Sequence, residues 1–349
     1  MRARFPDLLH IETDCLVTRV LFDEAGRASG VAWQKGRHLY RASPRPSSEP
    51  GVSGESRAGR EVILAGGAFA TPQLLMLSGI GETTHLVEHG IAPRVDLPEV
   101  GRNLQDRYEI GLVYRMARPW RSLDGAEFAL GDPLYRRWQR RRRGMYISNG
   151  AVVAALRRSS TARDASPDLV LMALLARFKG YYDGYSADSW PGLDGLSWTV
   201  LKGQTGNRAG SVRLASADPR DRPIIDFRNF SGNGEEDLTG LVEGLQMARA
   251  LAQPLLDSGV IAEEETPGRT VTADTLRQWV KANAWGHHAC GTAAIGPVLD
   301  SRGQVHGVPR LRVVDASIFP RIPGLFIAAP IYLAAEKLAA DILAAGEGS

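Results

Sequence analysis

A short apolar strand that runs into two glycines, and then into a long apolar stretch, constrains this chain more than any other feature. Glu61-Val-Ile-Leu-Ala65 is followed by Gly66-Gly67; Leu74, Leu75 and Leu77 come after Thr71-Pro72, and Ser78-Gly79 ends the run. The pattern predicts strand, tight turn and helix, with Thr71 as helix cap, Pro72 at its first position and Ser78-Gly79 as its stop. Glycines at such a corner remove Cβ atoms where backbone N–H groups can approach an anion, typically phosphate. The spacing alone also fits a turn that binds nothing.

The rest of the chain alternates between strand and helix grammar. Leu9, Ile11, Leu16, Thr18, Val20 and Phe22 favour strands, Asp23–Gly26 reads as a turn, and Gly30-Val31-Ala32-Trp33 begins another strand. The stretch from Ser43 to Gly59 is rich in Pro, Ser and Gly and cannot bury apolar surface, which predicts a flexible hairpin tip or insertion. In the middle, Gly111–Tyr114, Leu169–Leu174 and Ser211–Ala215 read as strands and Glu236–Ala252 as a helix. Near the end, Leu311–Asp315 reads as a strand and Pro330–Ala345 as a helix. The expected fold class is α/β, a mixed helix and sheet protein in which both ends of the chain build one unit and the middle a second.

Composition removes several function classes. With 349 residues the chain has room for roughly two domains, and 44% hydrophobic residues with 23% charged is ordinary globular usage. Forty-two Lys and Arg against 39 Asp and Glu give a net charge of +3, too weak to imply a nucleic-acid or membrane partner. An arginine run at 136–143 has no aromatic platform around it and reads as a solvated helix face, or as steering for an acidic partner or substrate. Two cysteines, Cys15 and Cys290, cannot form a disulfide framework or a zinc ribbon. The most apolar stretch, Ile322–Ala335, is broken by Pro323, Gly324 and Pro330 and falls short of the ~18–20 residues a bilayer needs. No secretory signal is evident, so a soluble, cytoplasmic chain is expected.

The segment around the paired glycines resembles the second signature of the glucose–methanol–choline (GMC) oxidoreductases, FAD enzymes that oxidise alcohols. The matching positions are Gly67, Ala68, Thr71, Pro72, Leu74, Leu75, Ser78, Gly79, Ile80 and Gly81. Further on, Leu97-Pro-Glu-Val-Gly-Arg-Asn-Leu-Gln-Asp106 is similar to another family block, which usually continues with His; here Arg107 follows. Gly210–Asp218 and Pro223-Ile-Ile-Asp226 resemble the family's substrate-domain sheet. His287-His-Ala-Cys-Gly-Thr292, Leu311–Ser317 and Glu336-Lys337 resemble its catalytic end.

The resemblance implies an incomplete FAD-binding, Rossmann-like domain with an antiparallel-sheet substrate-binding domain. Residues 1–110 and 281–349 would form the FAD-binding part and 111–280 the substrate-binding part. It implies FAD as cofactor and a small alcohol as substrate; no metal is expected, because no His/Cys/Asp grouping completes a ligand set with His287, His288 and Cys290 at a recognised spacing. A His three residues before Gly-Thr is the family's base, and His288 has that spacing, with His287 as its catalytic neighbour; neutral imidazole suits that task near pH 7. Val17, Ala65, Gly66, Gly67, Asp315, Ala316, Phe326 and Ile327 are the residues implied beside the cofactor. Trp285, Tyr181 and Tyr182 are candidates for the pocket lining.

Two departures accompany it. Phe326 stands where many members carry a second His or Asn, and no Gly-x-Gly-x-x-Gly unit for the ADP part of FAD occurs in the sequence. The chain is therefore expected to be the C-terminal portion of such an enzyme. The rival expectation is a non-catalytic remnant, or a subunit that needs a separate N-terminal FAD-binding chain.

Overall fold

The computed structural model describes residues 4–148 and 150–346. The first part holds β1 (Cys15–Phe22), β2 (Ala28–Lys35) and β3 (Val52–Arg57), an antiparallel sheet in that order. Leu9 and Ile11, expected in a strand, lie in exposed, irregular backbone with no strand to pair with. The expected hairpin tip at 43–59 instead contributes β3. Its backbone pairs along the free edge of β2, from Gly30↔Arg57 to Lys35↔Val52, so the strand forms although it buries little. Gly54 is required there, because a Cβ would lie 2.4 Å from the Trp33 ring.

β4 (Val62–Leu64) leads through Ala65 and Gly66 into α1 (Gly67–Leu77). The helix begins four residues before the expected Thr71 cap, with Gly67 at φ +79 turning the chain out of the strand. Pro72 therefore sits inside the helix, where it cannot donate to the Ala68 carbonyl. The Thr292 hydroxyl donates to that carbonyl at 2.7 Å, so nothing is left unpaired. Ser78 caps the far end and Gly79 follows in the left-handed region. Next come β5 (Ile80–Gly81), α2 (Thr83–Glu88) and β6 (Val95–Asp96), with β5 and β6 parallel.

The middle is built on β7 (Tyr108–Met116), α3 (Pro133–Arg141), β8 (Ala151–Arg157), β9 (Leu169–Leu174), α4 (Tyr185–Asp188) and β10 (Gly195–Lys202). It continues with β11 (Ser211–Arg213), β12 (Ile224–Asp226), α5 (Gly234–Asp257), β13 (Ile261–Thr266) and α6 (Ala273–Asn283). Five of these strands form an antiparallel sheet in the order β13-β7-β10-β9-β8, and every residue of β10 is buried. α5 lays Leu238, Leu241, Leu245 and Ala248 against that sheet, making the larger of the two cores.

The chain then returns to the first part. β14 (Leu311–Val313) pairs in parallel with β4, and α7 (Ala328–Gly346) closes the chain. Val62, Leu64, Leu75, Met76, Leu311 and Val313 share the second core. Among the described residues, no helix is long and apolar enough to cross a membrane.

Candidate active site

The parallel pair β4 and β14 brings both strand ends to one corner. Asp315, just past β14, accepts from the Gly67 N–H at 2.9 Å, the Thr71 hydroxyl at 2.6 Å and the Ser317 N–H at 2.7 Å. Its carboxylate is committed to the protein's own donors and locks the glycine corner to the turn after β14. Ala316 and Ile327 are buried behind this corner, in a small cluster with Cys290 and Ile322. Val17, Ala65 and Gly66 instead line an open trough of about 780 Å³ with Phe69, Arg222 and Ile225. A Cβ on Gly67 would meet nothing within 4 Å, so this glycine answers to its backbone angle and leaves the corner open.

Phe69, Arg222 and Ile225 also line a second cavity, of about 750 Å³, which runs on to Asp106, Gly286 and His287. The trough thus extends from Val17 to His287. An extended, mostly apolar groove with a glycine corner at one end suits a long dinucleotide such as FAD in shape and lining.

The histidines are placed by pairing between two segments far apart in sequence. Trp285 exchanges both backbone hydrogen bonds with Glu109, and Cys290 does so with Gln105. Between them the His288 N–H donates to Asp106 Oδ1 at 2.8 Å, which fixes the backbone that carries the ring. The His288 ring lies 4.1 Å from that of His287 and edge-on to Phe326 at 5.7 Å, centroid to centroid. Its Nδ1 is buried and makes no hydrogen bond. Burial first, then His287 and Arg107, pull the His288 pKa down to about 3, so its ring is neutral at pH 7.

Two further groups complete the site. Burial pushes the Glu109 carboxyl up to about 7, against the neighbouring Thr199 hydroxyl and Trp285 indole. Its Oε2 lies 3.2 Å from His287 Nδ1, an ion pair only when that histidine is protonated. Burial lowers the His287 pKa, with the Arg107 charge adding to it. Arg107 is fully buried, and its guanidinium donates to the carbonyls of Pro323 and Gly324. It therefore holds the loop that presents Phe326.

Glu109, His287 and Phe326 face one cavity of about 690 Å³, walled by Phe178, Tyr181 and Tyr185. Of the expected lining residues, Tyr181 is in that wall. Tyr182 points elsewhere, its hydroxyl donating to Asp188, and Trp285 packs edge-on behind Phe178. Sequence reasoning missed Glu109. Its one available signal is a place three residues after Asp106, in a segment whose pairing with 285–290 nothing local announces.

A separate grouping, His85, Glu88 and His89, has metal-ligand spacing on α2. His85 Nε2 accepts the Leu214 N–H at 3.0 Å, so in neutral imidazole the proton sits on Nδ1, the atom that faces Glu88. His85 has no lone pair left to give a metal.

Family models described as GMC oxidoreductase match residues 5–109 and 206–335. The chain belongs to the GMC oxidoreductase family. It is 34% identical over 346 residues to an oxygen-dependent choline dehydrogenase of Staphylococcus aureus strain MSSA476, and equally to that of strain JH9. Each match covers 96% of this chain and 56% of the relative, so the chain spans little more than half the length of these GMC proteins. Among solved structures it resembles an arginine-to-alanine variant of the formate oxidase of Aspergillus oryzae RIB40, a substitution studied for its effect on FAD modification. The TM-score is 0.77 at 25% identity, over 96% of this chain and 60% of the oxidase. It shares its fold with an FAD-dependent oxidoreductase from Chaetomium thermophilum, with a TM-score of 0.76 at 23% identity over 99% and 63% of the two chains.

Proposed function

We propose that this chain carries the catalytic histidine and the substrate cavity of an FAD-dependent oxidoreductase acting on the CH–OH group of alcohols. The observation that carries the reading is His288, whose buried Nδ1 makes no hydrogen bond among the described residues, packed on His287, which lines both the aromatic-walled cavity and the end of the trough that begins at the glycine corner. Residues 1–110 and 281–349 would serve the cofactor and 111–280 the substrate. Val17, Ala65 and Gly66 would line the cofactor's path, while Gly67, Asp315, Ala316 and Ile327 would shape the corner from behind. FAD, when bound, supplies the hydride acceptor.

The chain's own residues then have three tasks. The His288 imidazole takes the hydroxyl proton of the alcohol as the C–H bond is oxidised. Phe326, held by Arg107 through the Pro323 and Gly324 carbonyls, covers the ring edge and excludes water. Glu109 selects the alcohol. A buried carboxylate facing Tyr181, Tyr185 and Phe178 suits a substrate with a cationic group, stabilised by the carboxylate and by ring faces together. The named activity of the staphylococcal relatives, choline dehydrogenation, is consistent with that choice.

The reading is tested on the FAD-loaded chain. His288→Ala should slow anaerobic bleaching of the flavin band by choline at least ~10²-fold while FAD binding persists. An unchanged rate would remove His288 from the role of base. Failure of the native chain to hold FAD at all would favour the rival reading, a subunit that needs a separate cofactor-binding chain.

A further inference from the structure

The arginine run has no part in the site described above, and its surroundings give it one. Between Arg121 and Ser148 the sequence holds seven arginines against three carboxylates, Asp124, Glu127 and Asp132. Asp132 is buried and turned inward, accepting from the Glu127 and Tyr135 N–H groups and from the Tyr146 hydroxyl. Arg136, Arg137, Arg140, Arg141, Arg142 and Arg143 lie on α3 and just past it, all exposed, and none forms an ion pair among the described residues. Arg142 lies over the Trp138 ring at 4.5 Å. Six uncompensated charges on one short surface are costly unless a negatively charged surface faces them.

The same corner exposes large aliphatic side chains. Leu130, before α3, is 87% exposed and Ile147, after it, 65%. Beside them opens an apolar cavity of about 560 Å³, lined by Phe128, Leu130, Trp138 and Tyr146. This cavity shares Gly150, Leu175 and Trp190 with the one that holds Glu109 and His287. The cationic helix thus surrounds a greasy mouth that leads toward the candidate active site.

We infer that α3 and its flanking loops dock the protein on an anionic lipid bilayer, with the arginines against the headgroups and Leu130 and Ile147 among the upper acyl chains. A bilayer is the occupant that satisfies both halves of the surface. A nucleic acid would meet the charge, but its recognition uses stacking rings and leaves aliphatic side chains idle, whereas interfacial binding combines buried apolar area with electrostatic attraction. The docked orientation opens the apolar mouth to the membrane, so alcohols enriched at that surface enter the cavity from it. The route to the cavity rests on the alcohol-oxidation reading; the docking does not.

Flotation of the purified full chain with vesicles separates the two, since it reads no activity. Vesicles of phosphatidylcholine mixed with phosphatidylglycerol should carry the chain upward, phosphatidylcholine alone should not, and high salt should release it. Each arginine strengthens such binding roughly fivefold, so the triple variant R137Q/R140Q/R141Q should bind about a hundredfold more weakly. Leu130→Ser with Ile147→Ser should weaken binding by about tenfold and leave the remainder fully salt-sensitive. All substituted side chains are exposed, and an unchanged circular dichroism spectrum confirms the fold. Absence of flotation with the anionic vesicles, equal flotation of the triple variant, or capture of a DNA duplex without vesicle binding would each overturn the inference.

Discussion

The two sheets that flank the candidate site are held together in different ways. The five-stranded sheet is held by its own core: β10 is buried along its whole length, with β7 and β9 paired on either side and α5 across it. It even contains its own charges. Lys202 is buried with Asp168 at 3.1 Å and Asp237 at 3.7 Å, and Asp168 also accepts from the Ser159 N–H at 2.7 Å. The glycine-corner side rests on two paired strands of three residues each, β4 and β14. Ile63 in β4 is half exposed, and Tyr332 and Leu333 on α7 more so. Its geometry is set by single polar staples instead: Asp315 at the glycine corner, Thr292 on Ala68, and Arg312 on Glu61 at 2.6 Å. One region is held by area, the other by a few well-placed hydrogen bonds. A corner of the second kind orders its backbone without filling the space beside it.

This contrast can be broken from either side. The largest effect is expected from Lys202→Met, which leaves two buried carboxylates unpaired and should lower stability by about 3–5 kcal/mol in urea unfolding. A loss well below ~1 kcal/mol would mean that the five-stranded sheet does not depend on its buried charges. At the glycine corner, Asp315→Asn removes the anionic acceptor of four hydrogen bonds and should cost about 1–3 kcal/mol. Its signature should be local: faster amide exchange at Gly67 and weaker FAD binding, with the five-stranded sheet unaffected. Equal loosening of both sheets would show that the regions are one cooperative unit.

The smallest effect is a pH dependence at the junction. Glu109 is raised from an ordinary 4.5 to about 7. Its contribution therefore favours the folded chain below 4.5 and is lost as pH rises through 7. Asp106, raised from 3.8 to about 6 by burial, acts in the same sense. His288, lowered from 6.5 to about 3, acts in the opposite one, its contribution intact above 6.5 and lost as pH falls. Glu109→Gln should therefore gain stability relative to the native chain as pH increases from ~5 to ~8. A difference in melting temperature that does not change with pH would contradict the assignment.

The legible parts of the fold were those whose signals are local. β9, the strand before the glycines and the α1 stop needed only apolar runs, Ser78 and Gly79. β10 was not read because Ser197, Thr199 and Lys202 break its apolar run, although every residue of the strand is buried. Partners distant in sequence satisfy two of them: Ser197 donates to the Ala176 carbonyl, and Lys202 pairs with Asp168. The start of α1 was misplaced for a similar reason, since Pro72 is tolerated only because Thr292 reaches Ala68. At the site, His288, His287 and Phe326, whose three rings the fold brings together, were singled out through the resemblance to the GMC motifs. Glu109 was not, because its meaning comes from pairing with Trp285, which no window of sequence contains.

The account stands most directly on one measurement. The purified chain is loaded with FAD, desalted and mixed anaerobically with choline, and the flavin band is followed in the native protein and in His288→Ala. The account predicts a retained band that choline bleaches in the native chain, and at least ~10²-fold more slowly in the variant. A retained band that bleaches at the same rate in both would contradict it.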